Sequence, residues 1–267
     1  MLNILWNGRT AMNAQQDRLD CISNNIANMD TEGYKREDVS FEDLVQDSLQ
    51  RKGYPETKND NRMQQPFTGT GVKATSWLRD NSQGNLQQTN TSTDLAIDGE
   101  GYFRVTLPDG TKAYERGGSF NLDSTGLLVD KNGNRLEIQY DQAALNSNFG
   151  GKIPALTENN FKVDNQGNIT VASGDSYITV GKINLFNAVG GDTLMSVGKN
   201  LYVPKTGAQI YQVTNADILQ GYLEKSNVDM SKEMTDMIMA QRNFEMSSKA
   251  LKTGDDMWGI VNNMRGK

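Results

Sequence analysis

Apolar and polar positions follow two rhythms along this chain, and the change of rhythm marks its parts. From Leu2 to about Asn28, the residues Leu2, Leu5, Arg9, Met12, Gln16, Leu19, Ser23 and Ile26 succeed one another at alternating steps of three and four, the spacing that aligns side chains on one face of a helix. Near the other end, over 230–264, Met230, Met234, Met237, Gln241, Phe244, Ser248, Leu251 and Trp258 repeat the pattern, with a flanking row of Met246, Ala250, Met257 and Val261. Each row is only half apolar, so neither helix buries much alone. The spacing therefore predicts that the two helices pair as a coiled-coil-like stalk. Arg9, Gln16, Ser23, Gln241 and Ser248 are polar within the rows. Such residues weaken a two-helix hairpin but set register and partner choice where several helices crowd together; a plain antiparallel stalk within one subunit would satisfy most of the apolar positions.

Between the helices the rhythm shortens. Tyr102–Leu107, Leu127–Val129, Phe161–Val163, Ile169–Val171, Tyr177–Val180 and Lys182–Phe186 read as short strands, separated by Asp109-Gly110, Ser124-Thr125-Gly126, Asn132-Gly133 and Gln166-Gly167, which supply the positive φ of tight hairpins. Val39–Gln50 reads as a helix or an ordered arm, and Arg51–Gln65, polar and without periodicity, as a loop. The expected fold class is α+β, with long N- and C-terminal helices and an inserted β-rich domain. Its expected divisions are 1–35, 36–68 as an extended arm or linker, 69–222 as the β-rich domain and 223–267.

Composition narrows the function. The 267 residues carry a net charge of −6, which lacks the basic face a nucleic-acid protein needs. With no histidine, the chain is without the commonest general base and the commonest transition-metal ligand. The single cysteine, Cys21, reads as a small packing residue in the first helix. No basic n-region precedes an apolar core near Met1, and no run approaches the roughly 20 apolar residues of a membrane span.

Three places could carry chemistry. Asp130-Lys131-Asn132-Gly133-Asn134 begins like a calcium loop, with Asp141 near the place of a final carboxylate, but Arg135 holds the sharp-turn glycine position and Leu136–Tyr140 reads as a strand, so a hairpin turn is expected. Asp94, Asp98 and Glu100 could be read as paired acids of a glycosidase, yet acids this close around Gly99 and Gly101 more often orient a turn. Gly99-Glu100-Gly101 is too short for a phosphate loop and opens no helix. No active site, cofactor site or metal site is expected.

The first helix ends in Ser23-Asn24-Asn25-Ile26-Ala27-Asn28, followed by Thr31-Glu32-Gly33-Tyr34-Lys35. As sequence chemistry alone this is a helix C-cap and turn. It also resembles the N-terminal signature of the bacterial flagellar axial proteins of rod and hook. Asp94–Phe103 resembles that family's mid-chain motif, and Gly221–Asp229 running into Glu233-Met234-Thr235 and Ala240–Glu245 resembles its C-terminal signature, all in the family's order. Lys225 and Asn243-Phe244 depart from the usual wording. Length and motifs lie nearest the distal-rod branch, with the proximal-rod branch second and a hook-type axial subunit as a further alternative within the family.

The resemblance implies a structural subunit of the basal-body rod that self-assembles into a hollow helical tube, transmits torque to the hook and passes exported subunits. It implies an inner core of terminal helices, partners among the other axial proteins (proximal rod and hook), the flagellar type III export apparatus and ring proteins around the rod, and export without a cleaved signal. The residues expected at assembly contacts, read from the helical rows and the signatures, are Leu2, Leu5, Met12, Leu19, Asn24, Asn25, Ile26, Asn28, Gly33, Tyr34, Met234, Met237, Gln241, Phe244, Leu251 and Trp258. Two other classes stand beside the resemblance: a β-rich glycan- or wall-binding module on a helical stalk, and a hydrolase using Asp94 or Asp98.

Overall fold

The computed structural model describes residues 2–43, 46–48, 67–69, 71–157, 159–173, 176–190 and 193–265. Three helices, α1 (Leu2–Ala27), α2 (Gln142–Phe149) and α3 (Met230–Arg265), frame a run of short strands. The architecture is α+β, with helices at the termini and strands in the middle. The chain forms two compact units. One contains residues 1–26, 37–78 and 230–267; the other contains 27–36 and 79–229.

In the helical unit, among the described side chains of α1, the buried ones are Ala14, Cys21, Ile22 and Asn25. Cys21 packs as expected, its Sγ donating to the Glu37 carbonyl at 3.2 Å. Along α3 the buried positions are Glu233, Ala240 and Gly254, flanked by half-buried Met237, Phe244, Ser247 and Leu251. This corrects the seam read from sequence. Met230, Met234 and Trp258 are exposed, and the flanking row of Met246, Ala250, Met257 and Val261 faces outward. Small residues hold the inner positions because they permit close approach: a Cβ placed on Gly8 of α1 would lie 3.4 Å from Leu251 Cβ.

Residues 37–43, expected as helix or arm, form a strand paired with Val72–Arg79, and Gln46–Ser48 pairs antiparallel with Phe67–Gly69. The strand is imposed at its start, where the Asn25 side chain occupies both backbone hydrogen-bonding groups of Glu37. Leu44, Val45 and the segment Leu49–Gln65 lie outside the described residues.

The larger unit is built from antiparallel strands. One sheet runs in the order Leu194–Gly198, Leu201–Pro204, Lys112–Glu115, Tyr102–Thr106, Arg135–Leu136, Leu128–Val129, Asn121–Leu122, with Leu185–Ala188 bridging Tyr102–Thr106 and Ile210–Val213. A second orders Ile138–Tyr140, Ser176–Ile183, Asn168–Ser173, Phe161–Val163. Period-two alternation selects the inward side, as in Phe161 and Val163 buried about exposed Lys162. Both sheets close on one core centred on Phe103, Phe120, Leu95 and Ile97, with the Phe103 and Phe120 rings edge to face at 5.5 Å.

All six stretches read as strands contribute to these sheets, and the turn glycines Gly110, Gly126, Gly133 and Gly167 stand at positive φ. Among the elements that periodicity missed are several short strands, such as Lys112–Glu115 and Leu201–Pro204, and the short helix α2. The helix is eight residues long, and its signal is in its caps: Asp141 accepts from the Ala143 N–H at 2.9 Å, and Gly150 closes it at φ 60°.

Candidate assembly site at the meeting of the signatures

Asp141 as a helix cap answers the calcium-loop reading. Asp130 likewise serves its own hairpin, its Oδ1 accepting from the N–H groups of Asn132 (2.6 Å) and Asn134 (3.0 Å). Asp94 accepts the Thr89 hydroxyl at 2.6 Å, and Asp98 accepts from Gln83 Nε2 at 3.2 Å. These acids orient turns and strand ends, and no group of three His, Cys, Asp or Glu side chains among the described residues is placed to hold a metal ion.

The concentrated polar chemistry of the larger unit lies instead around Glu224, at the end of the strand Tyr222–Glu224. Its side chain is 1 % exposed and takes two cations. Lys35 Nζ donates to Oε1 at 2.6 Å and to the Ser82 carbonyl at 2.8 Å; Arg116 Nε donates to Oε2 at 2.5 Å. The rest of the Arg116 guanidinium is spent on backbone, reaching the carbonyls of Gly101 (2.5 Å), Gly99 (2.6 Å) and Ile97 (3.3 Å). Glu224 also accepts from the Gly84 N–H at 2.9 Å, and its own carbonyl accepts from the Gly33 N–H at 2.8 Å.

Burial pushes the Glu224 carboxyl up, but Arg116, Lys35 and the Gly84 N–H outweigh it and hold the group below the usual carboxylate range. For Lys35 burial dominates, and its ammonium is pushed down despite Glu224. A fork of five donors suits Arg116 to this place, because one planar group can satisfy a carboxylate and a row of carbonyls together.

Gly33 belongs to the same junction. It sits at φ 67°, and a Cβ there would lie 2.5 Å from Gly117 N, so only glycine fits. Asn227 completes the joint, accepting from the Arg36 N–H at 2.7 Å and donating to the carbonyls of Asp80 (3.0 Å) and Ser82 (3.1 Å).

A second joint lies in the helical unit. Asn25, fully buried, donates to the Glu37 carbonyl at 2.8 Å and to Glu233 Oε2 at 3.2 Å, and accepts from the Glu37 N–H at 3.0 Å. A primary amide carries donor and acceptor in one plane, so Asn25 mimics a peptide unit and ties α1 to the strand and to α3.

Three family profiles match this chain: "flagella basal body rod protein" over residues 5–35, "flagellar hook protein FlgE/F/G D1 domain" over 96–171, and "flagellar basal body rod FlgEFG protein C-terminal" over 219–264. The flagellar basal-body rod protein FlgG of Borreliella burgdorferi is 34% identical over 275 residues, covering 99% of each chain. The chain belongs to the flagellar basal-body rod protein family.

Proteins of the same name from two subspecies of Buchnera aphidicola, Schizaphis graminum and Baizongia pistaciae, are each 36% identical over 265 residues, 96% of this chain and 97% of theirs. Within this rod-family chain the three matched segments meet at one carboxylate: Gly33 and Lys35 come from the first, Arg116 and the carbonyls it holds from the second, Glu224 from the third.

Of the residues assigned to assembly from sequence, Asn25, Gly33 and Tyr34 are buried within the chain, and Leu5, Met12, Leu19, Asn24, Ile26, Asn28, Met237, Phe244 and Leu251 are half-buried. Met234, Gln241 and Trp258 are exposed, and the side chain of Leu2 lies outside the described residues. Sequence reasoning did not single out Glu224, Arg116, Glu233 or Asn227. Glu224, Asn227 and Glu233 stood inside the C-terminal signature, where an acid next to Leu223 or Met234 was a usable signal for Glu224 and Glu233; Arg116 had none, because its partners are distant in sequence.

Proposed function

We propose that this chain is a structural subunit of the distal part of the flagellar basal-body rod, which self-assembles into a hollow helical tube carrying torque from motor to hook and passing exported subunits. The observation that carries the reading is the outward apolar face of α3. Met246 is 61 % exposed and Met264 75 %, with Ile260 and Met257 on the same side, a cost in water that repeated contacts between copies remove. Methionine suits such contacts because its flexible thioether adapts to neighbours that are similar but not identical.

The two contacts between terminal helices, Asn25 with Glu233 and Gly8 with Leu251, occur in opposite order along the chain. They support an antiparallel α1–α3 pair as the inner-core element of the tube. In this reading Met234, Gln241 and Trp258 contact neighbouring subunits directly, while Asn25, Gly33 and Tyr34 shape the subunit that makes those contacts. The remaining partners are the proximal rod and hook subunits, the ring proteins around the rod and the type III export apparatus. The work is mechanical, and no catalytic step enters it. Use of Asp94 and Asp98 in turns counts against the hydrolase alternative.

Electron microscopy of the concentrated full-length protein tests the proposal. Straight hollow tubes are expected, and none from a Met246→Glu/Met257→Glu variant that keeps its circular-dichroism spectrum. Monomers at every concentration under nucleating conditions, with glycan binding instead, would replace the rod reading by the wall-binding one.

A further inference from the structure

Two strands at the rim of the larger sheet are finished differently. Leu194–Gly198 carries a bulge, its register shifting between Ser196 and Gly198, and the Leu194 carbonyl accepts from Arg79 at 3.5 Å. A bulge of this kind spoils an edge for further pairing. Ile210–Val213 has no such guard. Among the described residues it pairs with Leu185–Ala188 alone, and no charged residue or proline stands between Lys205 and Asp217. Edges are normally blunted by one of these devices, so an edge left plain is open to another strand.

The register defines which strand fits. The Val189 N–H donates to the Gln209 carbonyl at 3.1 Å, in step with the pairs Asn187–Tyr211 and Leu185–Val213. Hydrogen-bonded and non-hydrogen-bonded pairs alternate along an antiparallel ladder. Gln209, Tyr211 and Val213 therefore turn their backbone groups toward Leu185–Ala188, and Ile210 and Gln212 turn theirs outward. An incoming antiparallel strand bonds to Ile210 and Gln212 and leaves Tyr211 between them at a non-hydrogen-bonded position, where facing side chains come closest. Tyr211 is 46 % exposed, so its ring is available to such a neighbour.

This edge is its own complement. A two-fold axis at Tyr211 matches Ile210 of each copy with Gln212 of the other and sets the two Tyr211 rings side by side. Charge agrees with that register: exposed Lys205 lies six residues before Tyr211 and exposed Asp217 six after, so antiparallel alignment brings opposite charges to each end of the seam. A charge inside the strand would meet its own copy, and the uncharged stretch avoids this. Glu100 borders the cleft beside Tyr211 and accepts from Asn187 Nδ2 at 3.4 Å. Asn187 and its copy stand three strand spacings apart, about 14 Å, beyond the screening length of about 8 Å.

We propose that Ile210–Val213 pairs antiparallel with the same strand of a second copy, giving a two-fold dimer whose sheets run on across the Tyr211 pair. A two-fold contact closes on itself and does not propagate an open polymer. The dimer is therefore a state of the free subunit, and it stands apart from the rod reading.

Disulfide trapping in the full-length chain carrying Cys21→Ser tests the register, with oxidised glutathione as the oxidant. Tyr211→Cys places two Cα atoms about 4.5 Å apart at the axis, within the span of a disulfide, whereas Gln212→Cys faces Ile210 and stands about 7–8 Å from its own copy. A covalent dimer is expected from the first variant and not from the second. Sedimentation of the parent chain is expected to show a dimer, weakened about tenfold by Tyr211→Lys, which sets like charges face to face. Equal trapping at the two positions, no trapping at position 211, or a parent chain with no dimeric species overturns the proposal.

Discussion

Glu224 illustrates how a single side chain can organise a fold from a sequence position with no periodic signal. Two cations and three chain segments converge on it, and each is buried. Removing one member of such a cluster strands the others without solvent. Glu224→Ala is expected to lose about 3–5 kcal/mol of unfolding free energy in urea at pH 7. The sign with pH follows from the lowered carboxyl. Its contribution is present above the unfolded value near 4.5 and is lost as pH falls through the lower folded value, so parent and variant converge in acid. A gap that persists unchanged at low pH would mean that Glu224 acts through packing and not through its charge. In two of the places where residue types suggested chemistry, the acids Asp94 and Asp98 and the acids Asp130 and Asp141 proved to be hydrogen-bond acceptors for turns, strand ends and a helix cap. This was legible in part, because the neighbouring glycines and asparagines announced turns.

At the scale of elements, α3 separates two kinds of position that one rule, apolar inside, had merged. Its inward positions include Ala240 and Gly254, and its outward positions include Met246 and Met257. Substitutions should therefore behave in opposite ways on the two faces. Ala240→Leu overpacks a closed position and is expected to cost the monomer about 1–3 kcal/mol, read as a lower thermal midpoint of the helical signal. Met246→Leu on the outer face should leave that midpoint in place. Equal effects at both positions would contradict the assignment of faces. The ends of α1 and α3 were legible from the three-and-four spacing to within a residue or so. Which face of α3 turns inward was not, because apolar residues destined for another chain look the same in sequence as those destined for the core.

For the whole molecule the unequal division of apolar burial sets the behaviour. The β-rich unit closes a large core of its own, whereas the helical unit buries few residues and leaves Trp6, Ile238, Ile260 and Met264 exposed. Heating should resolve two transitions. Loss of helical signal is expected to move to higher temperature as protein concentration rises, because association stabilises only the assembled form of those helices. The β-sheet transition should stay fixed with concentration. A single transition independent of concentration would show that the helices draw their stability from within the chain.

Local periodicity, turn chemistry and long ordered motifs were enough to give the α+β class, the two terminal helices, a minority of the strands with their turns, and family membership. They also implied that Asn25 and Gly33 matter, without saying how. Only the tertiary arrangement showed that Lys35, Arg116 and Glu224 form one buried cluster, that Asn25 reads the backbone of Glu37, and that Glu115 is buried with one oxygen sealed from solvent. The physical reason is range. Helices and hairpins are selected by neighbours a few residues away, whereas a buried charge is tolerated only through partners brought from distant segments, and nothing in local sequence records which partners those are.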